Sequence, residues 1–242
     1  MERIIINPTY QSLERFVYSI PSVFDKQGTL IYDERNQVRV FMVGEMKLVV
    51  KRFKRPLLHQ RIDYTLFRPS KAKRAYLYGM KLVELGISTP TPIAYIETYH
   101  LSLFTQGYLV TEFCGDPDAR VIREEPEKHD DLIESVVRFI VDCHEKGFIH
   151  GDTNLSNFLY HKDASGYHIT TIDINRSHFF PNPSKEQCLG SLFRLTHVRP
   201  ALMKIVRRYA ELRGWDTTSS VQFVLEKLDK FERRKKMLKL HR

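Results

Sequence analysis

Short apolar runs of strand length dominate the first half of the chain. Thr29 to Tyr32 and Val38 to Val43 are rich in β-branched and aromatic residues, and the polar stretch Asp33-Glu34-Arg35-Asn36-Gln37 between them predicts a hairpin. A third strand, Lys47 to Phe53, follows the Gly44-Glu45 turn and carries Lys51 near its end. The period then changes. Ser70 to Leu85 spaces Ala75, Leu77, Leu82 and Leu85 as a helix does, with Ser70 as N-cap and Gly86 as the stop. Pro90-Thr91-Pro92 enforces extended chain, and Ile93 to Glu97 and Gly107 to Phe113 predict two more strands. This half predicts an antiparallel sheet with one helix.

After Gly115-Asp116-Pro117 helical periodicity takes over. Asp131 to Lys146 sets Leu132, Val136, Phe139, Ile140 and Cys143 on one side. Two short strands, around Asn157 to Tyr160 and His168 to Ile172, flank the turn Asp163-Ala164-Ser165-Gly166, and helices resume from about Lys185. The expected architecture is α+β in two lobes, residues 1–113 and 114–242, the second mainly helical.

Composition narrows the class. With 242 residues, 42% hydrophobic and 28% charged, the chain has enough apolar side chains for a sizeable core. No uninterrupted apolar run is long enough to span a bilayer, and Asn7-Pro8 interrupts the N-terminal apolar run too early for a signal peptide. A cytoplasmic protein is expected. Cys114, Cys143 and Cys188 are odd in number and far apart, which predicts packed thiols and neither a disulfide framework nor a zinc knuckle. The net charge of +9 implies attraction to a polyanion: nucleic acid, an anionic membrane surface or a phosphorylated ligand.

One segment carries chemistry. His150-Gly151-Asp152-Thr153-Asn154-Leu155-Ser156-Asn157 reads H-G-D-x-x-x-x-N, and Ile172-Asp173-Ile174-Asn175 follows the predicted hairpin. Phosphoryl transfer needs a carboxylate to orient the attacking hydroxyl and oxygen ligands that hold magnesium against nucleotide phosphates. Asp152 suits the first task, and Asn157 and Asp173 the second. The spacing parallels the kinase catalytic loop H-R-D-x-x-x-x-N and the metal-binding Asp of D-F-G, and a kinase-like fold follows as the expectation. Lys51 sits where a kinase keeps its phosphate-binding lysine; a solvated edge lysine is the alternative. By fold analogy Tyr108 to Phe113 is the lobe connector, with adenine bound by the backbone around Glu112 to Cys114.

The chain resembles the lipopolysaccharide kinase family, of the Kdo kinase, WaaP and InaA type. The likeness runs from Leu48-Val49-Val50-Lys51-Arg52-Phe53 through Leu85-Gly86-Ile87-Ser88-Thr89-Pro90-Thr91-Pro92 to the H-G-D loop, and on to Asp173-Ile174-Asn175-Arg176-Ser177-His178-Phe179. The last segment is the most specific, because aminoglycoside phosphotransferases share only the H-G-D loop. The resemblance implies ATP and magnesium as cosubstrates and a sugar hydroxyl of lipopolysaccharide core, on Kdo or heptose, as acceptor. It makes Lys51 the phosphate-binding lysine, Asp152 the base, and Asn157 and Asp173 the metal ligands. Arg176 either holds a substrate phosphate or carboxylate, or organises the loop internally.

The chain departs from kinases in two places. The helix after Lys51 begins Lys71-Ala72-Lys73-Arg74 with no acid to pair the lysine, so Glu97 reaches it, the nucleotide alone fixes it, or the protein is a pseudokinase scaffold. The glycine-rich loop is reduced to Val43-Gly44-Glu45-Met46. The short stretch after Asp173 lacks A-P-E and leaves no room for a peptide-docking platform, which favours a glycan or a small-molecule acceptor of the aminoglycoside type. Residues 221–242 interleave basic residues with Phe223, Val224, Leu228, Phe231, Leu238 and Leu240. They predict either a helix lying on an anionic membrane, at the inner face of the inner membrane, or an ordinary packed helix. No nucleic-acid-binding fingerprint accompanies the charge, so nucleic acid is not the expected partner.

Overall fold

Three adjacent hairpins supply most of the N-terminal sheet, and its long-range closure comes from a strand at the start of the chain. In the computed structural model, which describes residues 1–240 with side chains to 238, the chain divides into two units, Met1–Gly115 and Asp116–Arg242. Arg242 of the basic C-terminal segment lies outside the described residues.

Unit 1 holds β1 (Glu2–Ile6), α1 (Glu14–Val23), β2 (Thr29–Asp33), β3 (Gln37–Val43), β4 (Met46–Arg52), α2 (Leu58–Leu66), α3 (Lys71–Glu84), β5 (Pro92–His100) and β6 (Leu103–Glu112). The strands form one antiparallel sheet in the order β1-β5-β6-β4-β3-β2. The Gly44-Glu45 turn is as tight as expected, with Val43 paired to Met46 and Gly44 at φ 60, in the left-handed region glycine favours. Alternation along the strands gives the sheet two apolar faces. Val50, Ile96, Tyr108 and Val110 pack with Val17, Ile20 and Phe24 of α1 and its end. On the other face, Phe53, Tyr95 and Leu109 pack with Ala72, Ala75 and Tyr76 of α3. Gly107 permits this approach, because a Cβ there would lie 3.0 Å from the Ala72 Cβ.

Helix α3 follows the sequence: Ser70 is buried and its Oγ accepts from the Lys73 N–H at 3.1 Å. Unit 1 nevertheless has three helices where one was expected. α1 turns Val17 and Ile20 to the core but carries Pro21 within it, and α2 turns its apolar row outward in place of the usual core-facing stripe.

Unit 2 is built on α4 (Asp130–Glu145), followed by β7 (Phe148–Ile149), the hairpin β8 (Phe158–Asp163) and β9 (Gly166–Thr171), then β10 (His178–Phe179), α5 (Lys185–Leu192), α6 (Arg199–Leu212) and α7 (Thr217–Leu240). Leu132, Val136, Val137 and Ile140 of α4 meet Leu189 and Leu192 of α5, Leu202, Ile205 and Tyr209 of α6, and Val224 and Leu228 of α7 in one core. Of the apolar residues of α7 that suggested a membrane face, Val224 and Leu228 are fully buried and Phe231 packs on Phe193 with ring centroids 5.4 Å apart, while Leu238 is exposed and the Leu240 side chain lies outside the described residues. Its acids Asp229 and Glu232 hold Arg199 at 2.8 and 3.1 Å. The thiols Cys143 and Cys188 are packed as expected, while Cys114 is only half-buried. Among the described residues no helix is long and apolar enough to cross a membrane.

Candidate active site

Two small pieces of sheet in unit 2 gather the H-G-D loop and the D-I-N segment. Strands β7 and β10 pair Ile149 with His178 and Phe148 with Phe179, fastening the chain just before His150 to the chain just after Arg176. The β8–β9 hairpin begins at Phe158 and ends at Thr171, and the Ile172 N–H donates to the Asn157 carbonyl at 2.9 Å. Asn157 itself lies in a 3₁₀ turn, Leu155–Asn157, and not in the strand. Hairpin closure therefore places Asn157 beside the residue preceding Asp173.

Glycines permit the close approaches. At Gly147, φ is 79° and a Cβ would lie 2.1 Å from the Phe180 carbonyl oxygen. At Gly151 a Cβ would lie 1.9 Å from the Arg176 carbonyl oxygen, far inside contact distance. The glycine of H-G-D, where protein kinases carry arginine, thus makes room for the backbone of the D-I-N-R segment.

His150 is the internal bracket. It is buried, its Nε2 lies 2.9 Å from the Ile172 carbonyl, and its Nδ1 accepts from the Asp152 N–H at 3.0 Å. A carbonyl beside Nε2 and an N–H beside Nδ1 fix the neutral tautomer protonated on Nε2. Burial pushes the His150 pKa down, opposed by the Ile172 carbonyl and by Asp173 and Asp152. The Asn157 Nδ2 donates to the Asp152 carbonyl at 2.7 Å, which leaves its side-chain oxygen as the donor suited to a hard cation. Asp173 adopts φ 58, ψ 41, a left-handed conformation that non-glycine residues take at a cost, and its Oδ1 accepts from the buried Asn175 Nδ2 at 2.7 Å. The Asn of D-I-N orients its Asp.

Asp152 is partly exposed and flanked by two guanidinium groups: Arg176 Nη1 lies 3.5 Å from Oδ2 and Arg194 Nη1 lies 3.5 Å from Oδ1. Arg176 therefore makes the internal pair that the sequence left as one of two options. Arg194 was missed by sequence reasoning. It stands 42 residues from Asp152 and stacks over Phe231 of α7, 5.1 Å from the ring centroid. A second buried histidine, His144, is bonded to the Tyr209 hydroxyl at 2.8 Å and the Ser191 hydroxyl at 3.3 Å, away from Asp152 and Asp173. Burial, with Arg213 nearby, lowers its pKa to about 3.

Lys51, Glu112 and Cys114 belong to unit 1. Lys51 pairs in register with Leu109, which pairs with Tyr95, so by alternation it lies on the sheet face that α3 covers. Its Nζ is 5.3 Å from the Phe53 ring centroid. Glu97 shares that face, is buried, and takes the Tyr99 hydroxyl at 2.9 Å and Arg3 at 3.7 Å. Glu112 pairs in register with Leu48, and its carboxylate accepts from the Tyr10 hydroxyl at 2.6 Å. Of the backbone expected to bind adenine, the Glu112 N–H already donates to Thr91 and the Phe113 N–H to Lys47, each at 3.1 Å.

A model of the lipopolysaccharide kinase (Kdo/WaaP) family matches residues 32–195, more than half of the chain. The chain belongs to the lipopolysaccharide kinase (Kdo/WaaP) family. The family segment contains every residue singled out above for chemistry, from Lys51 to Arg194. The lipopolysaccharide core heptose(I) kinase WaaP of Pseudomonas aeruginosa is 26% identical over 166 residues, which are 56% of this chain and 62% of that protein. This chain thus spans less than two thirds of the length of its curated relative. A solved structure of WaaP in complex with acyl carrier protein matches with a TM-score of 0.63 at 20% identity, covering 94% of this chain and 98% of that one. That likeness shows that the chain shares the α+β fold of WaaP.

Proposed function

We propose that the protein transfers the γ-phosphate of ATP, with magnesium, to a sugar hydroxyl of lipopolysaccharide core. The observation that carries this reading is the convergence of Asp152, Asn157, Asp173 and Arg176 through the β7–β10 pair and the β8–β9 hairpin, inside the segment that matches the family. The curated relative's heptose activity favours heptose over Kdo as the acceptor sugar.

The donor set fits magnesium. Among the described residues no three His, Cys, Asp or Glu gather into a cage, and magnesium needs none: one or two protein oxygens with phosphates and waters suffice. Asp173 and the Asn157 side-chain oxygen would hold the ion, which when bound neutralises charge on the transferring phosphate. Asp152 orients the acceptor hydroxyl and takes its proton as the new P–O bond forms and the bond to the leaving ADP oxygen breaks. Lys51 binds nucleotide phosphates, and the backbone around Glu112 to Cys114 binds adenine. Arg176 and Arg194 hold the Asp152 carboxylate by its two oxygens. A lipid-anchored glycan as acceptor supports a position at the inner face of the inner membrane.

Asp152→Ala tests the assignment: transfer should fall by roughly a thousandfold or more while ATP binding persists. Wild-type-like transfer by that variant would refute the role of Asp152.

A further inference from the structure

We propose that α2 and the β5–β6 turn form a docking surface for an anionic lipid bilayer. This rests on the reading of a lipid-anchored acceptor, but its observations are independent of the catalytic centre. Leu58, Ile62 and Leu66 stand at i, i+4 and i+8, one row of a helix, and are 62, 42 and 68% exposed. Leu57 and Phe67 at its two ends are 66 and 79% exposed. This reverses the usual arrangement, in which the apolar stripe of a surface helix faces the core.

The helix is held in that orientation by its other side. Tyr64 is buried edge-on against Phe104 with ring centroids 5.4 Å apart, the Arg61 Nε donates to the Phe104 carbonyl at 2.7 Å, and the Thr65 hydroxyl accepts from the Phe104 N–H at 3.0 Å. At the neighbouring β5–β6 turn, Leu101 is almost fully exposed at φ 48, followed by Ser102 at φ 61. Two left-handed positions in such a turn call for Asn and Gly; a leucine there spends backbone strain on presenting an apolar side chain to solvent. Ser102 lines a shallow cavity together with Thr65 of α2 and Met1, which joins the turn to the helix.

Charge selects the occupant. From residue 54 to 68 the chain carries Lys54, Arg55, Arg61 and Arg68 against the single acid Asp63, which pairs with Arg68. Arg61 is turned to the Phe104 carbonyl, which leaves Lys54 and Arg55 exposed ahead of the helix and Arg68 exposed just beyond it; an apolar row with basic residues at its ends is a composition suited to the interface of an anionic bilayer. α7, a strongly basic helix, has its apolar side chains Val224 and Leu228 in the core of unit 2.

The test is flotation of the full chain with phosphatidylglycerol/phosphatidylethanolamine vesicles, compared with phosphatidylcholine alone. Wild type should float with the anionic vesicles in a salt-sensitive manner. The combined Leu58→Gln, Ile62→Gln and Leu66→Gln variant should lose binding by roughly thirtyfold or more, with circular dichroism and transfer to soluble deacylated core unchanged. Leu101→Asn suits the left-handed turn better than leucine and so cannot fail by unfolding; it should weaken flotation several-fold. Absence of wild-type flotation, wild-type flotation by these variants, or conversion of a dimer to a monomer by the triple variant with flotation unchanged would each overturn the proposal, the last by giving the face to a second copy. Flotation uses no acceptor, so Asp152→Ala should float normally, and failure of the kinase reading would be seen separately.

Discussion

At the scale of single residues, the site is held by close packing as much as by charge. Gly151 has no room for a side chain because the Arg176 carbonyl occupies the space a Cβ would need. Gly151→Ala should force the two loops apart, separate Arg176 from Asp152, cost about 1–3 kcal/mol of stability and lower transfer by at least ~10-fold; thermal unfolding and steady-state rates check both. The buried histidines set a pH limit. His144 and His150 both have lowered pKa values in the fold, so they stay neutral there while the unfolded chain protonates them near 6.5. Their contribution is fully present above about pH 6.5 and is lost as pH falls toward the folded values, at up to ~1.4 kcal/mol per pH unit for each. Urea midpoints should drop between pH 7 and 5, and His144→Gln should make that drop shallower. Asp152, Asn157 and Asp173 were singled out from spacing and Arg176 from the family resemblance, and the structure brings the four together because a loop and a hairpin join near neighbours in sequence. Arg194 was not: it reaches Asp152 only through the packing of α5 and α7.

At the scale of elements, legibility followed the caps and the core-facing stripes. α3 shows a capping serine and an apolar face, α4 a long apolar face, and the structure has both within a residue or two of the expected ends. α2 escaped notice because Leu58, Ile62 and Leu66 face water and Leu57 supplies no capping side chain, and α1 because Pro21 breaks the reading of its last turn. The short strand β1 was passed over as an isoleucine run, since nothing local announces that Glu2 pairs with Thr98. α3 covers the sheet face that carries Lys51, and its capping Ser70 is completely buried. Ser70→Ala should cost about 1–2 kcal/mol, read as a lower denaturant midpoint.

At the scale of the whole molecule, the basic C-terminal helix is a structural part of unit 2. Deleting residues 221–242 removes Val221, Val224 and Leu228 from the core, and the loss should reach several kcal/mol, visible as a large fall in melting temperature. A truncated chain is therefore a poor probe of membrane contact, and the α2 substitutions, made on exposed side chains, are the cleaner ones. The two-part α+β organisation was readable from the change in periodicity near Gly115, whereas the order of the six strands depends on pairings that only the folded chain reveals.

The central claim is that this constellation transfers phosphate to lipopolysaccharide core. The direct measurement is incorporation of labelled γ-phosphate into deacylated core under magnesium, by wild type and by Asp173→Ala in parallel. Labelled core with wild type, and a loss of roughly a hundredfold or more with the variant, is the predicted result. Undiminished labelling by Asp173→Ala, or no labelling by a wild type that binds ATP, would contradict it.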